Sequence, residues 1–304
     1  MTGLLIGEVQ RLFARRMLRV LALVGIVAIA FAGVLTFLNT EKVDEAEMDA
    51  RRAAVRAQVE ACIEARQDRP LPSLDEQQVP DEEACRFRAG ASVEDPRFRL
   101  RQLRGIYQGT TAPLVVVGWL IGASSIGADW QSRTVTTLLT WEPRRVRVLV
   151  TKVLAAILVA AAFTLVTQAL VAGALAPSVV AHGTTAGTDG AWLRSLFGVL
   201  GRGTALVAVA TAIGFSVASI GRNTAAALGI GFGYFVILEN AVGGFLADFR
   251  RWLLLGNAIV WVSGENGGGE VSGRSVIAAG VFLTAVAAGL VVLATIFFQR
   301  RDVA

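Results

Sequence analysis

Long apolar runs separated by charged segments constrain this chain more than any other feature. Residues 18–38 form the first run, and its roughly 20 apolar positions can cross a hydrocarbon core of about 30 Å. Hydrophobic residues make up 54% of the 304 residues, charged residues make up 17%, and the mean hydropathy is +0.57. A soluble domain of this size carries more charge than that. The sequence therefore predicts a protein whose solvent is lipid.

The apolar runs predict an all-α polytopic membrane protein with six transmembrane helices. The predicted spans cover 18–38, 106–128, 148–176, 196–220, 225–242 and 275–298. The run at 18–38 is longer than the core of a signal peptide and other spans follow it, so we expect it to be retained. Residues 243–274 contain an apolar run of only about a dozen residues, which predicts outer interfacial or re-entrant helices and not a seventh crossing.

The placement of arginines predicts how the chain is oriented. Six spans put both termini on one side, together with residues 129–147 and the tail at 299–304. Basic residues concentrate there, whereas the short loop 177–195 on the opposite side has only Arg194. The positive-inside rule then predicts cytoplasmic termini. We expect the membrane to be a bacterial plasma membrane. Because the arginines flank apolar runs and form no binding stripe, we expect no nucleic acid partner.

Residues 1–17 predict an amphipathic helix in the plane of the membrane surface. Its apolar face carries Leu5, Val9, Leu12 and Phe13, and its basic face carries Arg11, Arg15 and, just beyond it, Arg19. Such a helix lies at the headgroup level with its arginines towards acidic membrane lipids. The alternative is a simple positive flank of the first span.

The polar segment 39–105 separates the first two spans and is predicted to lie outside the cytoplasm. Opposite charges at helical spacing, as in Glu47 and Arg51, predict a solvated helix that ends before Pro70. Both cysteines of the chain, Cys62 and Cys85, fall in this segment. In an oxidising space they are predicted to form a disulfide. The alternative is two unpaired thiols in a loop.

Sequence motifs for catalysis and metal binding are missing from this chain. The single histidine, His182, cannot build a metal site, and neither CxxC nor HExxH occurs. No GxxxxGK[ST] phosphate-binding loop is present either. We therefore expect no enzyme activity, no metal and no cofactor in this chain, and any ATP and Mg²⁺ must be bound by a partner subunit.

Two ionisable residues inside predicted spans are candidates for function. Arg202 in the fourth span and Glu239 in the fifth lie at depths that differ by about one helical turn. This spacing predicts an intramembrane ion pair, which could line a gate or simply hold a helical hairpin together, and both side chains could instead extend outwards. Gln168 in the third span could line a pathway or bond to a neighbouring helix.

Two GxxxG motifs predict sites where helices approach closely. They are formed by Gly118 with Gly122 and by Gly229 with Gly233. We expect them to serve packing within one bundle, with dimerisation as the weaker alternative.

The stretch 127–152, GADWQSRTVTTLLTWEPRRVRVLVTK, joins the second and third spans on the predicted cytoplasmic side. It has an acidic residue at the end of a span, Asp129, then a short amphipathic segment, then Pro143 with Arg144, and finally Lys152 at the start of the next span. This pattern resembles that of the ABC-2 type permeases, the membrane subunits of exporter-class ABC transporters. The resemblance covers most of the chain in topology, while residue-level likeness is concentrated in 127–152.

The resemblance implies that this loop carries a coupling helix that docks on a separate ABC ATPase subunit. The implied interface residues are Asp129, Trp130, Arg133, Thr134, Trp141, Glu142, Pro143, Arg144 and Arg145. Arg144 to Lys152 are equally expected to fix topology and to bind lipid phosphates. A second permease copy, identical or related, would complete the path, with an amphipathic or lipid-like cargo.

Two other functions remain open at this point. One is a secondary transporter driven by an ion gradient, for which inverted repeats and interrupted helices are typical. The other is a membrane anchor or sensor that uses residues 39–105.

Overall fold

The computed structural model describes residues 2–40, 43, 45–67, 85, 97–132, 134–141, 144–239, 241, 247–265 and 274–300. Its α-helices are α1 (Thr2–Ala14), α2 (Arg16–Asn39), α3 (Glu45–Gln67), α4 (Leu103–Gln131), α5 (Thr134–Trp141), α6 (Arg145–His182), α7 (Gly190–Gly221), α8 (Thr224–Phe232), α9 (Leu254–Ser263) and α10 (Val276–Arg300). A π-helix, Gly233–Leu238, continues α8, and 3₁₀ turns cover Leu100–Gln102 and Ala247–Trp252. Two short strands are β1 (Phe98–Arg99) and β2 (Gly183–Thr184). The predicted all-α membrane fold is confirmed.

Five helices in the described ranges are long and apolar enough to cross a membrane. They are Arg16–Asn39, Leu100–Gln131, Arg145–His182, Gly190–Gly221 and Val276–Arg300. The third of these is longer than the predicted span 148–176, and the connection that follows it is correspondingly shorter than 177–195. The predicted fifth span is represented by the shorter apolar helix Thr224–Leu238. Its 15 residues measure about 22 Å, less than a hydrocarbon core, so the sixth crossing stays a prediction.

The chain forms two compact units. The first comprises Met1–Phe31, Arg101–Gly173 and Gly187–Ala304, and the second comprises Ala32–Leu100 and Ala174–Ala186. In the first unit α4 packs along α7, and α7 also contacts α10. Phe215 of α7 is the largest fully buried side chain of this core.

Glycine permits the close approach of α4 and α7. A Cβ placed on Gly118 would meet the side chains of Val207 and Thr211, and one on Gly122 would meet the backbone of Thr211 and Phe215. This GxxxG motif therefore packs two helices of the same bundle, as predicted. The motif at Gly229 and Gly233 is different, because a Cβ at either position meets nothing within 4 Å.

The second unit contains α3 and the parallel pair of β1 and β2, in which Phe98 is opposite Gly183 and Arg99 is opposite Thr184. The predicted ion pair on α3 is present, with 2.8 Å between Arg51 Nη2 and Glu47 Oε1. The predicted disulfide between Cys62 and Cys85 is also present, and Cys85 is fully buried.

We expect loss of this disulfide to affect only the second unit. It closes a loop with a sequence separation of 23, so its removal should destabilise the segment by about 2–4 kcal/mol. We expect Cys62→Ser/Cys85→Ser to make α3 more sensitive to limited proteolysis, while cleavage within the first unit does not change. Maleimide labelling of both native cysteines without reductant would contradict this prediction.

Candidate functional site

The short helix α5 lies in the loop between α4 and α6, two of the long apolar helices. It begins three residues after the last residue of α4 and ends four residues before the first residue of α6. The hydroxyl of Ser132 lies 2.7 Å from the hydroxyl of Thr134, the first residue of α5. The same Ser132 hydroxyl donates to Ala128 O at 3.0 Å. Further along α5, Thr137 and Thr140 are exposed. The loop thus presents a short, uncharged helical surface held by the ends of two long helices.

A network of buried charges lies at the base of this loop. Lys152 Nζ of α6 is 2.6 Å from Asp129 Oδ2 of α4 and 2.8 Å from Glu8 Oε1 of α1. Arg15 Nη2 donates to Asp129 Oδ1 at 3.0 Å. The side chains of Lys152, Asp129 and Glu8 are only 3%, 7% and 8% exposed. We call these four residues the clasp, because they join α1, α4 and α6 where α5 is attached.

Electrostatics explains why the clasp needs all four members. Burying an ion costs several kcal/mol, and an ion pair offsets this cost only when its geometry is good and its other hydrogen bonds are made. Two carboxylates and two cations leave the clasp without net charge. Asp129 also lies near the C-terminus of α4, where the helix dipole disfavours an anion. Arg15 compensates for this by donating to the carbonyl oxygens of Ser124 and Ser125 as well.

The clasp changes the predicted role of the N-terminal helix. Leu12 is buried against α4 and α6, with Leu5 and Val9 packed beside it, so most of the apolar face of α1 contacts protein. Phe13 is the exception, since 53% of it is exposed. Arg15 and Lys152, which the sequence assigned to lipid headgroups, are instead bound to Asp129 in the interior. The sequence analysis missed Glu8, which lies among these apolar residues. An acidic residue on an apolar helix face was the signal that could have identified a buried ion pair.

A second set of contacts holds the other side of the loop. The ring of Trp130 lies 5.9 Å from that of Phe298 in α10, and the guanidinium of Arg222 is 4.9 Å above it. Gln131 Nε2 donates to Asn223 Oδ1 at 3.1 Å. Arg222 has a left-handed backbone, with φ of 54°, which costs a non-glycine residue energy that its contact with Trp130 helps to offset.

The remaining predicted interface residues are distributed around α5. Arg145 begins α6 and donates to Gln299 O at 3.4 Å, and Arg144 just before it is exposed. Trp141 is the last residue of α5. Arg133, Glu142 and Pro143 lie outside the described residues. The contact of these positions with an ATPase stays a prediction.

Arg202 and Glu239 do not form the predicted ion pair, because each has other neighbours on α9. Glu239 Oε1 accepts from Leu255 N at 2.8 Å, and the hydroxyl of Tyr234 accepts from Leu254 N at 3.1 Å. These groups satisfy the first free N–H groups of α9, whose N-cap residue makes no side-chain bond. The guanidinium of Arg202 lies beside Gly264, at the opposite end of α9.

Gln168 bonds to a neighbouring helix, one of the two roles predicted for it. Its Oε1 accepts from Thr110 Oγ1 at 3.0 Å, and its backbone carbonyl accepts from Tyr107 Oη at 3.0 Å. Gln168 and Tyr107 are both buried. This polar contact joins α6 to α4 inside the bundle.

Together, the five long apolar helices and the short helix held between two of them indicate a multi-pass membrane protein. The model of the ABC-2 family of transporter proteins matches residues 12–303, nearly the whole chain. The chain therefore belongs to the ABC-2 family and is a membrane subunit of an ABC transporter. No curated protein and no solved structure gives a significant match.

Proposed function

We propose that this chain is the permease of an ABC exporter and receives the movement of a separate ATPase subunit through α5. The clasp is the observation that carries this proposal. Asp129 and Lys152 are 23 positions apart in sequence, and their ion pair closes the base of the loop that holds α5. A loop closed in this way transmits a displacement of α5 to α4 and α6 as a rigid-body movement.

The proposed partners follow from this assignment. The ATPase subunit binds ATP and Mg²⁺, and closure of the ATPase dimer pushes α5. A second permease copy, identical or related, provides the other half of the path. The apolar helices favour an amphipathic or lipid-like cargo, and the arginine distribution favours cytoplasmic termini. The proposed location is a bacterial plasma membrane.

Glu8 and Arg15 extend this mechanism to α1. Because Lys152 bonds to both Glu8 and Asp129, a movement of α6 at this level also moves α1. If α1 lies at the membrane surface and moves together with α5, it changes the shape of the bundle at its cytoplasmic end. In this proposal the clasp transmits movement and takes no part in chemistry.

The function is tested by purifying the chain with a candidate ABC ATPase subunit and measuring ATP-driven transport in proteoliposomes. Glu142→Ala with Arg144→Ala is expected to weaken the complex by about tenfold or more, since a few side chains dominate most interfaces. The matched control is Asp49→Ala with Arg52→Ala, which removes one exposed pair of charges from α3. Failure to form a complex with the ATPase, or full coupling in the Glu142/Arg144 variant, would contradict the proposal.

A further inference from the structure

Two arginines from different helices meet near the C-terminus of α9. Arg104 lies in the first turn of α4, and Arg202 extends from α7 so that its guanidinium lies against Gly264. Arg104 Nη2 donates to Ser263 O, the residue immediately before Gly264, so the two side chains reach adjacent residues. We call Arg104, Gln108, Arg202 and Gly264 the two-arginine cluster. Like charges repel, so an anion bound between them would stabilise this arrangement.

The hydrogen bonds of the cluster leave donors unused. Arg104 Nη2 donates to Ser263 O at 3.3 Å and is 3.4 Å from Glu265 Oε1. The Nε atoms of Arg104 and Arg202 are buried and have no hydrogen-bond partner. Among the described residues, Arg202 has no side-chain acceptor at all. Each guanidinium has five N–H donors, so the cluster has a clear surplus of donors.

The charges are also unbalanced. Among the described residues, Glu265 is the one carboxylate paired with the cluster, and its side chain is 77% exposed. An exposed pair contributes about 0–1 kcal/mol and does little to neutralise two guanidinium groups. The clasp at the other end of α4 differs, because its two cations meet two buried carboxylates.

The surrounding backbone holds Arg202 in place. Gly264 has a left-handed conformation, with φ of 71°, and a Cβ there would collide with the guanidinium. Trp261 Nε1 donates to Arg202 O at 2.9 Å, and Gln108 Nε2 donates to Ser263 O at 3.3 Å. Glycine is therefore favoured at position 264 for two reasons: it adopts the left-handed turn that ends α9, and it leaves room for the guanidinium of Arg202.

We propose that the two-arginine cluster binds a phosphate-type oxyanion at the membrane interface. Arg104 lies near one end of the long apolar helix Leu100–Gln131, which is the level of lipid headgroups. Planar guanidinium groups match the oxygen atoms of a phosphate and bind it through paired hydrogen bonds. The phosphate belongs either to a phospholipid headgroup or to a free ion. This site does not depend on coupling of the chain to an ATPase.

The test uses the full-length chain in detergent and two probes. Native mass spectrometry measures retention of phosphatidylglycerol against diacylglycerol, which lacks the phosphate, and ³¹P NMR line broadening measures binding of inorganic phosphate. We expect Arg104→Gln/Arg202→Gln to lower affinity for the phosphate-bearing probe by at least tenfold. Arg194→Gln removes an exposed charge from the same helix, α7, and should have no effect.

The outcomes separate the two sources of phosphate. If phosphatidylglycerol is retained in an arginine-dependent way and inorganic phosphate does not bind, the site belongs to a lipid headgroup. If inorganic phosphate binds in an arginine-dependent way, the site belongs to a free ion. If the double variant does not fold, the single variants Arg104→Gln and Arg202→Lys supply the comparison. Binding of both probes unchanged by these variants, or lost equally in Arg194→Gln, would overturn the proposal.

Discussion

Replacement of Lys152 by methionine is expected to lower the free energy of unfolding by about 3–5 kcal/mol, the cost of leaving a buried charge without its partner. Methionine keeps the length and apolar stem of lysine, so the change isolates the ammonium group. Without it, Glu8 and Asp129 become two buried carboxylates that share Arg15 and the peripheral Arg11, whose side chain is 44% exposed. Thermal unfolding of the detergent-solubilised chain measures the effect.

A double-mutant cycle separates the loss of charge from other effects of the substitution. Asp129→Asn combined with Lys152→Met removes one charge of each sign, so we expect the double variant to recover part of the stability lost in Lys152→Met. The coupling energy between the two positions should exceed 1 kcal/mol, as for residues in one network. Arg52→Met on α3 breaks an exposed pair and should cost less than about 1 kcal/mol. An equally small effect of Lys152→Met would show that the clasp is not buried in the folded protein.

Five of the six predicted spans and the position of α5 were predictable, because they depend on local sequence. Apolar length determines which helices can cross a membrane, and the resemblance of 127–152 to the ABC-2 pattern implied the helix α5. The Cys62–Cys85 disulfide was predictable because the chain has two cysteines in one polar segment. In each case the necessary information lies in composition or in neighbouring residues.

The clasp could not be predicted because it joins residues that are distant in sequence. Glu8 and Lys152 are 144 positions apart, and no periodicity shows that α1 packs against α6. Lys152 was interpreted as part of a basic flank, although it lies two helical turns beyond Arg145, where a long apolar helix has begun. A lysine at that depth needs a buried acid, and this requirement was the missed signal.

The Arg202–Glu239 prediction failed for a geometric reason. Helical rise gives the depth of a residue along the bundle but not the direction of its side chain around the helix. The short helix α9 then provided partners for both residues, because its free N–H groups bind Glu239 and its C-terminal glycine lies beside Arg202. Matching depths are therefore necessary for an intramembrane ion pair but not sufficient.

The two GxxxG motifs should respond in opposite ways to an added side chain. Gly122→Val is expected to destabilise the protein by about 3 kcal/mol or more, the upper end of the cost of overpacking. A Cβ at Gly122 meets the backbone of Thr211 and Phe215, which cannot rotate away as a side chain can. The helices α4 and α7 must therefore separate, which disturbs the core around Phe215.

Gly229→Ala provides the matched control for this prediction. A Cβ there meets nothing within 4 Å, and alanine favours a helix over glycine by about 1 kcal/mol, so stability should be unchanged or slightly increased. Gly122→Ala should already cost about 1–3 kcal/mol, because even one methyl group collides with α7. Thermal unfolding of the three variants in the same detergent compares them directly. Equal effects at positions 122 and 229 would contradict the close packing of α4 on α7, since the two motifs have the same spacing and differ only in what lies opposite each glycine.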